Sequence, residues 1–227
     1  MQWEMRHNPD FTVCKVTFDG PGEAIVLEAD AMVAQDTSLQ MKTSARGGLM
    51  KAAGRLLAGE SLFQNTFTST RSGETLWLAP AADGDIHCEI LSSGAALNLS
   101  STCFVAAAPS ITLETKLAGF KGFFSGRGIF TVRCSGDGPV WFAGYGALHR
   151  IDLAPGEGYI VDNHHIAAFT DGMQHEITKI GGLGAMFLGG EGLVCKFRGP
   201  GTVWLQTRSH AGLAGFLEPF RPVKSNN

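Results

Sequence analysis

Long hydrophobic runs and charged residues are both scarce in this sequence of 227 residues. Its longest weakly polar stretches, residues 103–108 and 183–190, fall far short of the ~20 apolar residues that a membrane-spanning helix needs. Charged residues make up only 17% of the chain, and 18 basic residues nearly balance 21 acidic ones. This balance argues against a nucleic-acid partner, which requires clustered basic residues. Any membrane role is therefore expected to be peripheral.

Cysteine pairs with the spacing of metal or redox sites are also absent. The five cysteines are widely spaced and odd in number, and none forms a Cys-x-x-Cys motif. Such usage is typical of reduced thiols inside the cell. The first seven residues, MQWEMRH, lack the apolar segment and small-residue cleavage site of a signal peptide. We therefore expect a cytoplasmic protein.

Glycine is abundant, with 30 of 227 positions, roughly twice its usual share of about 7%. Several glycines follow aspartate in turn-like pairs such as Asp83-Gly84 and Asp171-Gly172. Between the turns, apolar and polar residues alternate with a period of two, as in residues 14–18 and 25–29. That alternation is typical of half-buried antiparallel strands, so the sequence predicts an all-β fold.

Three tryptophans mark an internal repeat. Trp77, Trp141 and Trp204 are separated by 64 and 63 residues, and each follows a turn-like segment. Two further sets of anchor residues precede them in the same order. One set is Phe63, Phe124 and Phe187, and the other is Met32-Val33-Ala34, Phe104-Val105-Ala106 and Ile166-Ala167-Ala168. Anchors with this regular order indicate three copies of one supersecondary unit.

The repeat predicts a specific architecture. We expect three tandem antiparallel modules, of β-sandwich or double-stranded β-helix type, with internal pseudo-threefold symmetry and one short helical insertion. Their bounds are about residues 35–98, 99–160 and 161–220, within one compact domain over residues 1–227. Residues 11–34 have no preceding tryptophan, so we expect them to close the last module and remove an open sheet edge.

The first copy carries extra residues that coincide with a helical pattern over residues 47–59. Apolar residues fall on one face of this helix and two basic residues on the other. Such a helix either covers one end of the β core, contacts another copy of the chain, or lies on a membrane surface. The candidate interaction residues are Leu49, Met50, Lys51, Arg55, Leu56 and Leu57.

Residues suited to metal binding or catalysis are few. His164 and His165, with His175 ten residues on, are candidate metal ligands because residues 162–165 are turn-like. The simpler interpretation is that they are surface or loop histidines whose ring nitrogens form ordinary hydrogen bonds with their surroundings. The glycine-rich segments match no nucleotide-binding motif. Residues 59–63 lack the final glycine of the Gly-x-Ser-x-Gly nucleophile elbow found in hydrolases. We therefore expect no catalytic residue and no cofactor.

Several segments together resemble a known family. They are residues 48–63, the strand pair at 155–169, and the glycine-rich blocks at Phe124 and Phe187. Over about residues 5–220 the chain resembles the bacterial branch of the mitochondrial biogenesis family called altered inheritance of mitochondria. The resemblance implies an all-β fold similar to the tryptophan RNA-binding attenuation protein, with three modules per chain and trimers that form a larger ring. It defines no catalytic residues.

Three hypotheses for function follow. The first is a non-enzymatic β scaffold that self-associates as a trimer and presents a surface to a protein or peripheral membrane partner. The second is a cupin-like, metal-dependent enzyme or sensor that uses His164, His165 or His175. The third is a ring that binds RNA or a small ligand, with a band of arginines near the repeat anchors. Those arginines are Arg127, Arg133, Arg150, Arg198 and Arg208.

Overall fold

A computed structural model describes residues 1–45, 63–118, 129–179 and 193–221. Strands dominate these residues, which confirms the predicted all-β class. The strands are β1 (Gln2–Arg6), β2 (Val13–Thr17), β3 (Ala24–Glu28), β4 (Met32–Gln35), β5 (Gln40–Ala45), β6 (Phe63–Thr68), β7 (Thr75–Leu78), β8 (Gly84–Leu91), β9 (Ala96–Ser100), β10 (Phe104–Ala107), β11 (Thr112–Ala118), β12 (Ile129–Ser135), β13 (Gly138–Tyr145), β14 (Leu148–Leu153), β15 (Gly158–Asp162), β16 (Ile166–Thr170), β17 (Gln174–Lys179), β18 (Leu193–Arg198) and β19 (Gly201–Gln206).

The strands form four sheets in which neighbouring strands run antiparallel. Sheet A has the order β1-β2-β7-β4, and sheet B has the order β5-β6-β3-β10-β13-β8. Sheet C has the order β11-β12-β9-β16-β19-β14, and sheet D has the order β15-β18-β17. The alternating segments at residues 14–18 and 25–29 coincide with β2 and β3, as the sequence predicts. Many neighbours in a sheet are distant in sequence, so the sheets hold distant parts of the chain together.

The buried apolar side chains form three clusters that share strands. Adjacent residues on a strand point to opposite faces, and on β13 Trp141 enters the first cluster while Phe142 enters the second. On β19, Trp204 enters the second cluster and Val203 the third. Burying each such side chain stabilises the fold by about 1.5–3 kcal/mol. The three clusters are therefore linked through strands that are covered on both faces.

All five cysteines carry free thiols, as the sequence predicts. Cys14, Cys103, Cys134 and Cys195 are buried, and Cys88 is half-buried. Burial raises the pKa of the Cys103 thiol to about 12. These cysteines therefore act as small apolar core residues.

The anchor residues pair with one another in the same way three times. Ala34 lies opposite Trp77, Ala106 opposite Trp141, and Ala168 opposite Trp204. In each pairing the register shifts just before the alanine, which is the signature of a β-bulge. The anchors found in the sequence thus mark equivalent strand pairs.

Residues 11–34, which the sequence assigns to closing the last module, contribute β2, β3 and most of β4. Among the described strands, β2 pairs with β1 and β7, and β3 pairs with β6 and β10. Closure of the last module by these residues stays a prediction.

The described residues contain one α-helix, α1 (His210–Leu217), followed by a 3-10 turn over Glu218–Phe220. The Ser209 hydroxyl caps α1 by accepting a hydrogen bond from the Gly212 N–H at 3.0 Å. The sequence pattern does not predict this helix. Its glycines disfavour helix, and it contains no oppositely charged residues three or four positions apart that would stabilise one. The helix predicted over residues 47–59 lies outside the described residues. No helix in the described part of the chain is long and apolar enough to cross a membrane.

Candidate functional site: two unpaired sheet edges

Strand β4 is exposed although its counterparts in two other sheets are buried. Val33 is 57% exposed, whereas Val105 on β10 and Ala167 on β16 are 2% and 0% exposed. Met32 is also exposed. These residues occupy the same position before the bulge alanine, so the repeated sequence pattern alone does not explain the difference.

The difference follows from the neighbours of each strand. Strand β10 lies between β13 and β3, and β16 lies between β19 and β9. Within the part of the chain that the structure describes, β4 pairs with β7 alone. Its second edge therefore presents backbone N–H and C=O groups that no described strand pairs with.

Strand β15 is the matching edge at the other end of the series. Its counterparts β3 and β9 are central strands, with β3 between β6 and β10 and β9 between β12 and β16. Among the strands described, β15 pairs with β18 alone. Ile160 is 53% exposed, while Asn98 at the corresponding place on β9 is buried. An apolar side chain is thus exposed where a polar one is covered.

Neither edge strand carries the internal charge or the proline that commonly protects a sheet edge, although β4 is short and bulged. Natural sheet edges are commonly shielded by charged side chains, especially lysine, or by proline. The sequence of β4 is MVAQ and that of β15 is GYIVD, whose only charge is at the last residue. The other edge strands carry charged residues within them, as in Lys42 on β5 and Arg150 on β14. The composition of β4 and β15 is therefore that of strands that accept a partner.

Carboxylates flank both edges, but their charges are stabilised by their own chain. Asp36 accepts hydrogen bonds from the Thr75 N–H at 2.6 Å and from the Thr75 hydroxyl at 3.0 Å. Asp162 accepts the His164 N–H at 2.7 Å, and Glu157 accepts a backbone N–H at 2.8 Å. These carboxylates are therefore already engaged by N–H and hydroxyl donors of the same chain.

The candidate histidines do not form a metal-binding cluster with other side chains of the described residues. His164 and His165 lie in a 3-10 turn over Asn163–His165, in agreement with the predicted turn. His165 makes a 2.8 Å hydrogen bond from Nδ1 to the Gln206 carbonyl. His175 bonds its Nδ1 to the Met173 carbonyl at 3.0 Å. In the described residues, no three His, Cys, Asp or Glu side chains are grouped so that they could hold a metal ion.

His175 lines a shallow surface depression of about 480 Å³ beside β15. Glu176, Lys196 and Arg198 also line it, so acidic and basic groups are mixed there. Mixed charges of this kind do not select a ligand of one sign. The depression therefore defines no specific binding chemistry.

Two arginines of the proposed basic band, Arg133 and Arg150, are engaged with carboxylates, whereas Arg208 donates to the Thr207 carbonyl. Arg133 donates from Nε to Asp171 at 2.9 Å, and Arg150 donates from Nε to Asp152 at 3.0 Å. Such pairing removes much of the field that a phosphate backbone would meet. Arg127 lies outside the described residues, as do the candidate interaction residues Leu49, Met50, Lys51, Arg55, Leu56 and Leu57.

The sequence did not single out β4 and β15 as a site. Met32-Val33-Ala34 appears in it only as a repeat anchor, and an anchor shared with two buried strands is expected to be buried. The signal available was the scarcity of charge in both segments, where Asp162 at the end of β15 is the single charged residue. Only the order of the described strands shows which of the three anchor strands has a single neighbour.

The described residues define an antiparallel all-β protein in which β4 and β15 each have a single strand neighbour. The family model described as Mitochondrial biogenesis AIM24 matches residues 3–208. The chain belongs to this family, which confirms the resemblance seen in the sequence.

Two proteins of Streptococcus pyogenes are similar to this chain. An uncharacterized protein of serotype M6 is 27% identical over 235 residues, which cover 100% of this chain and 93% of that protein. A crystal structure of a Streptococcus pyogenes protein superposes with a TM-score of 0.79 and 24% identity, covering 97% of this chain and 99% of that one. The second likeness shows a shared fold.

Proposed function

We propose that this protein is a non-enzymatic, cytoplasmic β scaffold that self-associates as a trimer and presents a surface to a protein or peripheral membrane partner. The copies associate through β4 and β15. One observation carries the proposal: these two strands expose apolar residues at positions that are covered in the equivalent strands of the same chain. Covering each exposed apolar side chain in an assembly contributes up to about 1.5–3 kcal/mol.

The three-module architecture is part of the same proposal. In sheets B and C the strand orders correspond, with each strand of sheet C six places later in the chain than its counterpart in sheet B. The three matching bulges between alanine and tryptophan support the same repeat. The trimer is the assembly that the family resemblance implies, and the free thiols support a reducing compartment.

The test is the mass of the protein in solution. Sedimentation velocity at micromolar concentration is expected to give about 72 kDa, three times the 24.1 kDa of one chain. The double variant Val33→Lys/Ile160→Lys is expected to sediment as a monomer, because it places a charge on each apolar edge. Both residues are exposed, so the circular dichroism spectrum should be unchanged.

The matched control changes two other exposed apolar residues to the same charge. Met41 on β5 and Ile90 on β8 are more than half exposed. Met41→Lys/Ile90→Lys is expected to keep the mass of the wild-type assembly. A wild-type protein that sediments as a monomer, or a Val33→Lys/Ile160→Lys variant that stays assembled, would overturn the proposal.

A further inference from the structure

We infer that the copies join head to tail: β15 of one chain pairs antiparallel with β4 of the next chain, with Val161 opposite Ala34 and Ile160 opposite Gln35. This inference rests on the proposed self-association and adds its direction and register. It derives from the strand pairings inside the single chain, which show how one unit meets the unit that follows.

The register follows from a constant spacing. Leu27, Leu99 and Val161 each lie seven residues before the bulge alanine of their own unit, which is Ala34, Ala106 or Ala168. Leu27 of the first unit pairs with Ala106 of the second. Leu99 of the second unit pairs with Ala168 of the third. Among the described strands, Val161 of the third unit and Ala34 of the first unit are the members of the series that have no such partner.

The neighbouring positions continue the same register. Ala107 lies opposite Val26, and Phe169 lies opposite Asn98. The corresponding pair at the open edges is Gln35 with Ile160. Val161 is buried, as Leu27 and Leu99 are, so β15 already points its side chains as a paired strand does.

Head-to-tail pairing also completes a sheet. The order β17-β18-β15, followed by β4-β7-β2 of the next chain, is the strand order of sheets B and C. Strand β1 then adds a seventh strand at the end of the composite sheet. The two smaller sheets of one chain are thus complementary halves, and the partner that fits each open edge is a second copy of this chain.

The register can be tested with engineered disulfides between copies. Ala34→Cys/Val161→Cys and Gln35→Cys/Ile160→Cys place cysteines opposite each other, whereas Ala34→Cys/Ile160→Cys is shifted by one residue and points them to opposite faces. After mild copper–phenanthroline oxidation, at least one in-register variant is expected to give on the order of tenfold more covalent dimer and trimer than the shifted variant. The unmodified protein, whose native cysteines are buried or half-buried, is the control for background cross-linking.

The direction can be tested by complementation of single variants. Val33→Lys keeps an intact β15, and Ile160→Lys keeps an intact β4. Each alone is expected to be monomeric, while an equimolar mixture forms a dimer and nothing larger. If like edges paired with like, each single variant would itself be a dimer.

The outcomes separate this inference from the proposed function. An assembled wild type with no in-register cross-link, with equal cross-linking of the shifted variant, or with single variants that dimerise, would overturn the head-to-tail register and leave self-association standing. A monomeric wild type would overturn both.

Discussion

At the scale of single residues, the backbones of β8 and β13 approach so closely at Gly84 that no side chain fits there. A Cβ atom placed on Gly84 would lie 1.9 Å from the Gly144 carbonyl oxygen. Backbone oxygen on a paired strand cannot move aside without breaking the ladder. The sequence shows Asp83-Gly84 as a turn, and only the structure shows that this glycine is required by close packing.

Substitution of Gly84 by alanine is expected to destabilise the fold by about 1–3 kcal/mol or more through overpacking. The matched control is Gly20→Ala, because a Cβ at Gly20 would meet nothing within 4 Å. The control should be neutral or stabilising by up to about 1 kcal/mol. Urea unfolding of each variant at one protein concentration measures the difference. Equal midpoints for the two variants would contradict the packing argument.

At the scale of elements, a buried carboxylate organises the turn between β6 and β7. Glu74 is 1% exposed and accepts hydrogen bonds from the Thr70 N–H at 2.7 Å and the Thr70 hydroxyl at 2.8 Å. Burial by itself raises the pKa of this carboxyl, but the Ser38 and Thr70 hydroxyls and the backbone N–H groups of Thr70 and Arg71 lower it to about 2. The folded state therefore favours the ionised form of the Glu74 carboxyl.

The stability of the protein should consequently depend on pH through Glu74. Its folded pKa of about 2 lies below the ordinary value of 4.5, so its contribution is complete above pH 4.5 and is lost as the pH falls towards 2. Glu74→Gln is expected to unfold at lower urea concentration than the wild type at neutral pH. The difference between the two urea midpoints should become smaller as the pH is lowered. A gap that stays constant with pH would show that the carboxylate charge plays no part.

How far the elements could be predicted depends on whether their pattern is local. Strands such as β2 and β18 alternate apolar and polar residues, so their presence and inward faces follow from the sequence. Helix α1 has the sequence HAGLAGFL, and none of its residues is buried. A helix without a buried stripe has no amphipathic period to detect. The feature that marks its start is the N-cap at Ser209, whose signal in the sequence is a single serine.

The exposure of β4 could not be predicted for a different reason. Met32-Val33-Ala34 has the same apolar character as Phe104-Val105-Ala106, yet among the described strands only the second segment has a neighbour on each side. Whether a strand has a neighbour is set by the order of the whole chain. The candidate site therefore follows from topology, while the tryptophan repeat that leads to it is visible in the sequence.

At the scale of the whole molecule, stability and assembly are linked. If neighbouring copies bind the folded chain and not the unfolded one, each bound copy stabilises the fold by mass action.

The melting temperature should therefore rise with protein concentration. Each tenfold increase adds up to about 1.4 kcal/mol for each neighbour bound. In Val33→Lys/Ile160→Lys the melting temperature is expected to be independent of concentration. Differential scanning calorimetry over a hundredfold range measures both slopes. Parallel slopes for the two proteins would contradict assembly through these strands.

The two open edges are different surfaces, and this has a geometric consequence. A contact between unlike surfaces closes on itself only when the rotations between successive copies add up to a full turn. The angle between the sheets that carry β4 and β15 therefore determines whether an assembly through these strands closes into a ring. If the copies assemble as proposed, a change in that angle would replace a closed particle with an open fibre, so the residues that fix the angle would also set the size of the assembly.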